Sequence, residues 1–278
     1  MSSSPRSPYS SGPREEAGRQ LAPTEPGAPL ISFREISKAF GDNMVLERVD
    51  LDVFPGETVA IMGRSGSGKT VLTSMLVGLS IPDQGSIKFA GLELTQLKSD
   101  VDWRDLRLKT GYLFQNSALY DSMTVGENVA FPMVQHTTWS EAEIARRVAE
   151  KLDQVGLAGI ESMEPGELSG GMQRRAALAR SLALDPQIII YYEPSAGLDP
   201  VTGAEIGQLM RRLQRALKVT SVVVTHDLHL AELVADRIAL LDQAHWCFQG
   251  TYEEFLQSSQ PEVLRFLHRE PPQEDKTR

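Results

Sequence analysis

Glu57-Thr-Val-Ala-Ile-Met62, running into Gly63-Arg-Ser-Gly-Ser-Gly68-Lys69-Thr70, is the stretch that decides the fold. Pro55-Gly56 signals a turn, and the apolar run behind it reads as a buried strand. The residues from Gly63 to Thr70 fit G-x-x-x-x-G-K-[ST]. With glycine at ~7% of residues, a chance match in such a chain is on the order of one in a hundred. From Val71 to Leu79 apolar residues recur at helical spacing, so the loop sits between a strand and a helix, as a phosphate-binding loop requires. Glycines let backbone N–H groups wrap a phosphate at the positive end of the following helix. Lys69 can reach the terminal phosphate oxygens, and the Thr70 hydroxyl can coordinate Mg²⁺. Gly63, Arg64, Ser65, Gly66, Ser67, Gly68, Lys69 and Thr70 are therefore the candidate nucleotide-binding residues, and an ordinary glycine-rich turn is the weaker reading.

Outward from this loop, Pro82-Asp-Gln-Gly85 turns the chain into a segment, Ser86–Phe89, that reads as a strand. Ser140 opens a helix, with Glu143 completing a capping box and Trp139 and Ile144 at the staple positions. Ile144, Val148, Leu152 and Val155 form its apolar face. Ile188–Tyr191 and Ser221–Thr225 are apolar runs suited to central parallel strands, and Arg237–Leu241 reads as one more. Strands alternating with helices predict an α/β sheet flanked by helices.

Composition narrows the function classes. Of 278 residues 41% are hydrophobic and 23% charged, which is globular. One cysteine, Cys247, excludes an intramolecular disulfide framework and a Cys-rich metal site. No apolar stretch reaches the ~18 residues of a membrane span. A net charge of −9 argues against a nucleic-acid partner. Residues 1–29 hold six prolines and six serines, with neither a secretory apolar region nor a twin-arginine pair. They are expected to form a disordered leader on a cytoplasmic chain, and residues 259–278 a C-terminal helix and tail.

Leu168-Ser-Gly-Gly-Met172, followed by Gln173-Arg-Arg, adds a second motif. Here the chain resembles the ATP-binding-cassette (ABC) ATPases, whose signature reads Leu-Ser-Gly-Gly-Gln; Met172 departs from it. The resemblance implies an α/β P-loop NTPase of the ABC type, with a RecA-like core sheet. It places the ATP-binding domain at residues 30–258 and a helical subdomain at about 113–165. It implies ATP and Mg²⁺ as ligands. Ser169, Gly170 and Gly171 would face the γ-phosphate of ATP held by a second subunit. Phe40 matches the aromatic that stacks on adenine, and Gln115 the glutamine that contacts the metal and the attacking water. Ser195-Ala-Gly-Leu-Asp199-Pro matches the loop joining the two subunits, and His226 the histidine that bonds the γ-phosphate. Glu193 matches the general base. Thr70 and Gln115 are the implied metal donors.

Tyr192 breaks the pattern. Asp185-Pro186 and Glu193-Pro194 fix the alignment of Ile188-Ile-Ile-Tyr-Tyr192-Glu193, so Tyr192 stands where the family has its magnesium-organising aspartate. A phenol substitutes poorly for a carboxylate beside a hard cation. Either the variant is tolerated or the subunit hydrolyses ATP slowly. Ser117–Val125, Glu127–Pro132, His136 and the ending Gly250–Phe255 with Pro261–Leu267 resemble the Mla-type phospholipid transport ATPases. That resemblance implies a multispanning permease, an MCE-domain lipid-binding protein and a second copy of the ATPase as partners. It implies a peripheral position on the cytoplasmic face of the inner membrane. ATPases for amino acids, metals or lipoproteins, and a weakly hydrolysing regulatory subunit, remain the alternatives.

Overall fold

The apolar runs marked by the sequence become neighbours in one sheet. The computed structural model describes residues 27–98 and 100–267; the rest of the two tails lies outside the described residues. The sheet contains β3 (Thr58–Met62), β6 (Thr110–Leu113), β7 (Ile188–Tyr192), β8 (Thr220–Val224), β9 (Arg237–Asp242) and β10 (His245–Gly250), in the order β10-β9-β3-β8-β7-β6. Its pairs are parallel except for the β9–β10 hairpin. Every residue of β3 and β8 is buried, as strands covered on both faces require.

A second, antiparallel sheet runs β2-β1-β4-β5 and holds β1 (Ile31–Phe40), β2 (Asn43–Val53), β4 (Gln84–Phe89) and the short β5 (Leu92–Glu93). Only β4 is expected from the sequence pattern. β1 and β2 pair through register shifts, and Glu35 and Arg48 take left-handed φ values of 49° and 48°. Each irregularity disturbs the side-chain alternation, so neither strand keeps the period of two that marks a strand.

Helices cover the parallel sheet. On one side α1 (Lys69–Met75) and α2 (Asp100–Leu108) flank the core that both sheets share. α1 is shorter than the apolar spacing predicts, because Gly78 at φ 73° turns the chain away, with the Trp103 ring packed against it. The other side carries α3 (Val125–His136), α4 (Glu141–Gln154), α5 (Gly170–Ser181), α6 (Pro200–Leu217) and α7 (Leu228–Val234). At the hairpin edge, α8 (Tyr252–Gln257) and α9 (Pro261–Phe266) bury Phe255 and Val263 against Met62, Ile238 and Leu240. β7 divides its side chains between these layers. Ile189 and Tyr191 enter the α3–α7 core, and Ile188, Ile190 and Tyr192 face α1.

Ser140 caps α4 by accepting from Glu143 N at 3.2 Å, the half of the expected box that forms. The Glu143 carboxylate turns instead to Arg146 and Arg147, at 2.8 and 2.7 Å, and these bonds hold its pKa down to about 2. Trp139 and Ile144 do pack on the same core as Val148 and Leu152. Among the described residues no helix is long and apolar enough to cross a membrane.

Candidate nucleotide-binding site

Parallel neighbours end on the same side, so the segments that follow β3, β8, β7 and β6 gather in one place. These are the glycine loop, His226, Glu193 and Gln115. Together with Phe40 at the end of β1, they line a cleft of about 700 Å³. All of Gly63–Thr70 is in its wall, including Arg64, Ser65, Gly66 and Ser67. The volume is that of a small-ligand site.

The loop is built for an anion. Gly68 sits at φ 104°, and a Cβ there would come within 2.7 Å of the Val45 carbonyl oxygen, so only glycine lets the loop lie this close to β2. Ser67 Oγ is buried and has no protein partner. Lys69 is 6% exposed and donates to the Gly63 and Arg64 carbonyls at 2.8 and 2.7 Å. Burial lowers its pKa, and the Glu193 charge opposes that shift. A buried ammonium bonded to carbonyls is short of countercharge, which a phosphate supplies. Phe40 is 55% exposed at the rim, with Lys38 Nζ 5.4 Å from its ring centre, so one aromatic face is open to a base.

Glu193 lies just beyond β7 at φ 46°, a left-handed conformation that marks a constrained position for a residue with a side chain. Its backbone N–H donates to Val224 O at 2.8 Å, which ties it to β8. One carboxylate oxygen lies 2.9 Å from His226 Nδ1, and the other accepts from the Thr225 hydroxyl at 3.3 Å. This is a carboxylate oriented by two neighbours at the wall of the cleft, which leaves it able to accept a proton from a group held there. Next to it, the Tyr192 phenol oxygen lies 2.6 Å from Thr70 Oγ1.

That last contact bears on the metal. Mg²⁺ is usually held by one or two carboxylates together with substrate phosphates. Glu193 is the one carboxylate among the described residues lining the cleft, and His226 and Thr225 engage it. The remaining donors, Thr70 and Gln115, are neutral, and the Thr70 hydroxyl is bonded to Tyr192. Nor do the described residues contain a cluster of three or more His, Cys, Asp or Glu side chains able to hold a metal. The residues present do not fit a magnesium ion held by the chain itself.

Ser169, Gly170 and Gly171 lie outside this cleft, at the start of α5. Ser169 caps the helix, accepting from Met172 N at 3.3 Å. A Cβ on Gly171 would come within 2.7 Å of Thr202 Cγ2, so the glycine lets α5 close on α6. From α5 the buried Arg174 donates to Phe114 O at 2.9 Å and Ala196 O at 3.1 Å, and its burial lowers its pKa. Arg174 thus ties the loop bearing Gln115 to the loop at Ser195–Asp199. That second loop is fixed at both ends: Ser195 donates to Asp227 at 2.9 Å, and Asp199 caps α6.

Val45, Leu228, Arg265 and Phe266 also line the cleft without being singled out by the sequence. Arg265 is paired with Glu262 at 3.0 Å, and Phe266 meets Phe255 edge-on at 6.2 Å. Both come from α9, some two hundred residues after the glycine loop, so no local pattern signals them. Edge-on aromatic packing in the terminal helices is what brings them back.

Residues 46–196 match the family described as ABC transporter. A probable ribonucleotide transport ATP-binding protein (mkl) of Mycobacterium leprae is 40% identical over 243 residues, covering 87% of this chain and 70% of that protein. An intermembrane phospholipid transport system ATP-binding protein, MlaF of Haemophilus influenzae, is 40% identical over 238 residues, covering 86% of this chain and 90% of that protein. Among solved structures, a dimeric post-hydrolysis state of an ATP-binding cassette bound to ADP and Pi is similar. Its TM-score is 0.72 at 32% identity, over 80% of this chain and 98% of that one. With the glycine loop and the signature segment in place on this fold, the chain belongs to the ABC transporter family and carries its ATPase cassette.

Proposed function

We propose that the chain is the ATP-binding, energy-coupling subunit of a transporter that moves phospholipid across the cell envelope. The observation that carries the substrate is the extent of the match with the Haemophilus phospholipid-transport ATP-binding protein, which reaches 90% of that protein. The mycobacterial relative has the same identity, but 30% of its length lies beyond the match.

Residues 30–258 act as the ATP-binding domain in this reading, with 113–165 as its helical subdomain. Lys69 and the amides of Gly63–Thr70 hold the phosphates, and Phe40 stacks on the base. Ser169, Gly170 and Gly171 complete the site of a second copy, consistent with their place outside the cleft of their own chain. Two chains closing face to face therefore form two composite sites. Glu193 takes a proton from the attacking water, His226 holds Glu193 and meets the γ-phosphate, and Gln115 positions the water. No step here is routed through Mg²⁺, because Thr70 and Gln115, the donors the family pattern implies, bring no charge and the Thr70 hydroxyl is bonded to Tyr192.

A multispanning permease docks on the far side of the Gln115 loop. A groove of about 690 Å³ there is lined by Tyr120, Phe131, Pro132 and Arg180, with the Tyr120 and Phe131 rings 5.1 Å apart. Met133, beside them in sequence, is fully buried and belongs to the core. An MCE-domain protein carries the lipid, and the chain sits at the cytoplasmic face of the inner membrane. Affinity purification of the full chain from detergent-solubilised membranes tests this reading. A multispanning protein and an MCE-domain protein should co-purify; ribosomes or DNA-repair factors in their place would overturn it.

A further inference from the structure

Resting on the reading that the cleft takes ATP, we infer that Tyr192 makes nucleotide binding by this chain independent of Mg²⁺. The alternation of β7 fixes where its side chain goes. Ile188, Ile190 and Tyr192 share the face that carries Leu72 and Met75 of α1, while Ile189 and Tyr191 serve the opposite core. As the last residue of β7, Tyr192 is aimed at the first turn of α1, where Thr70 stands. Its phenol oxygen lies 2.6 Å from Thr70 Oγ1, at the short end of the O–H···O range.

A magnesium ion bonded to Thr70 would sit ~2.0–2.1 Å from that same oxygen. The phenol engages the hydroxyl the metal would use. A carboxylate on this strand end would draw a cation in, whereas a phenol brings no charge to the contact. Glu193, one residue on, is occupied by His226 and Thr225.

The phosphate-holding groups are separate from this pair. Lys69 Nζ rests on the Gly63 and Arg64 carbonyls, and Ser67 Oγ is buried without a partner. Neither is hydrogen-bonded to Tyr192. The chain therefore keeps its own charge for ATP while Tyr192 offers the metal none.

Titrating the full chain with a methylanthraniloyl ATP, in Mg²⁺ or in excess EDTA, reads this directly. Groups that support a metal typically command ~10–100-fold in its affinity. The unmodified chain should bind with affinities within ~2-fold of each other in the two buffers, and Tyr192→Asp should bind ~10-fold or more tightly with Mg²⁺. Loss of ~10-fold or more on adding EDTA to the unmodified chain would overturn the inference, as would a folded Tyr192→Asp indifferent to Mg²⁺. If the aspartate variant fails to fold, the unmodified chain decides the matter by itself. Absence of binding in both buffers would overturn the ATP-cleft reading and the inference with it; metal-dependent binding overturns the inference alone.

Discussion

Two glycine-containing segments of this chain have anion-binding chemistry, and they differ in what surrounds them. The loop at Gly63–Thr70 is enclosed by groups of its own chain, with a buried lysine short of countercharge and a buried serine hydroxyl without a partner. The segment at Ser169–Gly171 sits at the start of a twelve-residue helix, already capped, and none of it lines the cleft. The first segment specifies a ligand from within one chain. In the proposed function the second is a surface that needs a second chain to bring the phosphate, which would make the contrast one between a site and half of a site.

The largest expected effect falls on the first segment. Replacing Lys69 with Ala removes the charge-assisted bond to phosphate, so ATP binding by the isolated chain should weaken ~10–100-fold in a fluorescence titration. Retained affinity would mean that the loop amides alone hold the nucleotide. Phe40→Ala should cost roughly tenfold in affinity for ATP and GTP alike, because stacking uses the face of a base and not its edges. A loss confined to ATP would place edge recognition at the rim.

Ser169→Ala separates the two segments most sharply. Loss of the cap should lower stability by about 1 kcal/mol, measured by denaturant unfolding. ATP affinity of the dilute monomer should hold, while ATP-driven dimerisation followed by light scattering is lost. If monomer affinity falls instead, both segments serve one cleft and the contrast collapses.

The smallest effect is a control on α4, away from both segments. Glu143 has its pKa held down to about 2 from 4.5 by hydrogen bonds to Arg146 and Arg147. Between those values the unfolded chain binds the extra proton, so this stabilisation is complete above 4.5 and lost as pH falls toward 2. The melting-temperature gap between the parent and Glu143→Gln should be small, because water reaches the partly exposed carboxylate, and should narrow over that range. A change in nucleotide affinity would show that α4 is coupled to the cleft.

Much of this was legible in the sequence because the motifs that carry it are contiguous. Pro55–Thr70 contains a turn, a strand, a loop and a helix start in order, and the runs at 188–191 and 222–224 are unbroken apolar stretches of the kind a sheet covered on both faces demands. Gln115, Glu193 and His226 meet because each follows a parallel strand, so strand identity was enough to bring them together. Less was legible where geometry departs from the period. β1 and β2 disappear from a pattern search because Glu35 and Arg48 interrupt the alternation. Glu143 satisfies the spacing of a capping box, yet two arginines on the same helix take its carboxylate. Tyr192 could be recognised as a departure, but its bond to Thr70 depends on the approach of two elements 122 residues apart. Arg265 and Phe266 reach the cleft through packing that no local spacing encodes.

The guanidinium of Arg174 works as a crossbar. Because its planar fork grips Phe114 O with one nitrogen and Ala196 O with the other, the segment carrying Gln115 and the segment leading to Asp199 cannot drift apart while both bonds stand. Lysine at this position has a single nitrogen at the end of a flexible stem and would span the two carbonyls poorly. A displacement that begins at the groove beside Tyr120 and Phe131 would then reach the segment carrying Gln115 and stop there. The shape of one side chain thus sets how many loops move as a unit.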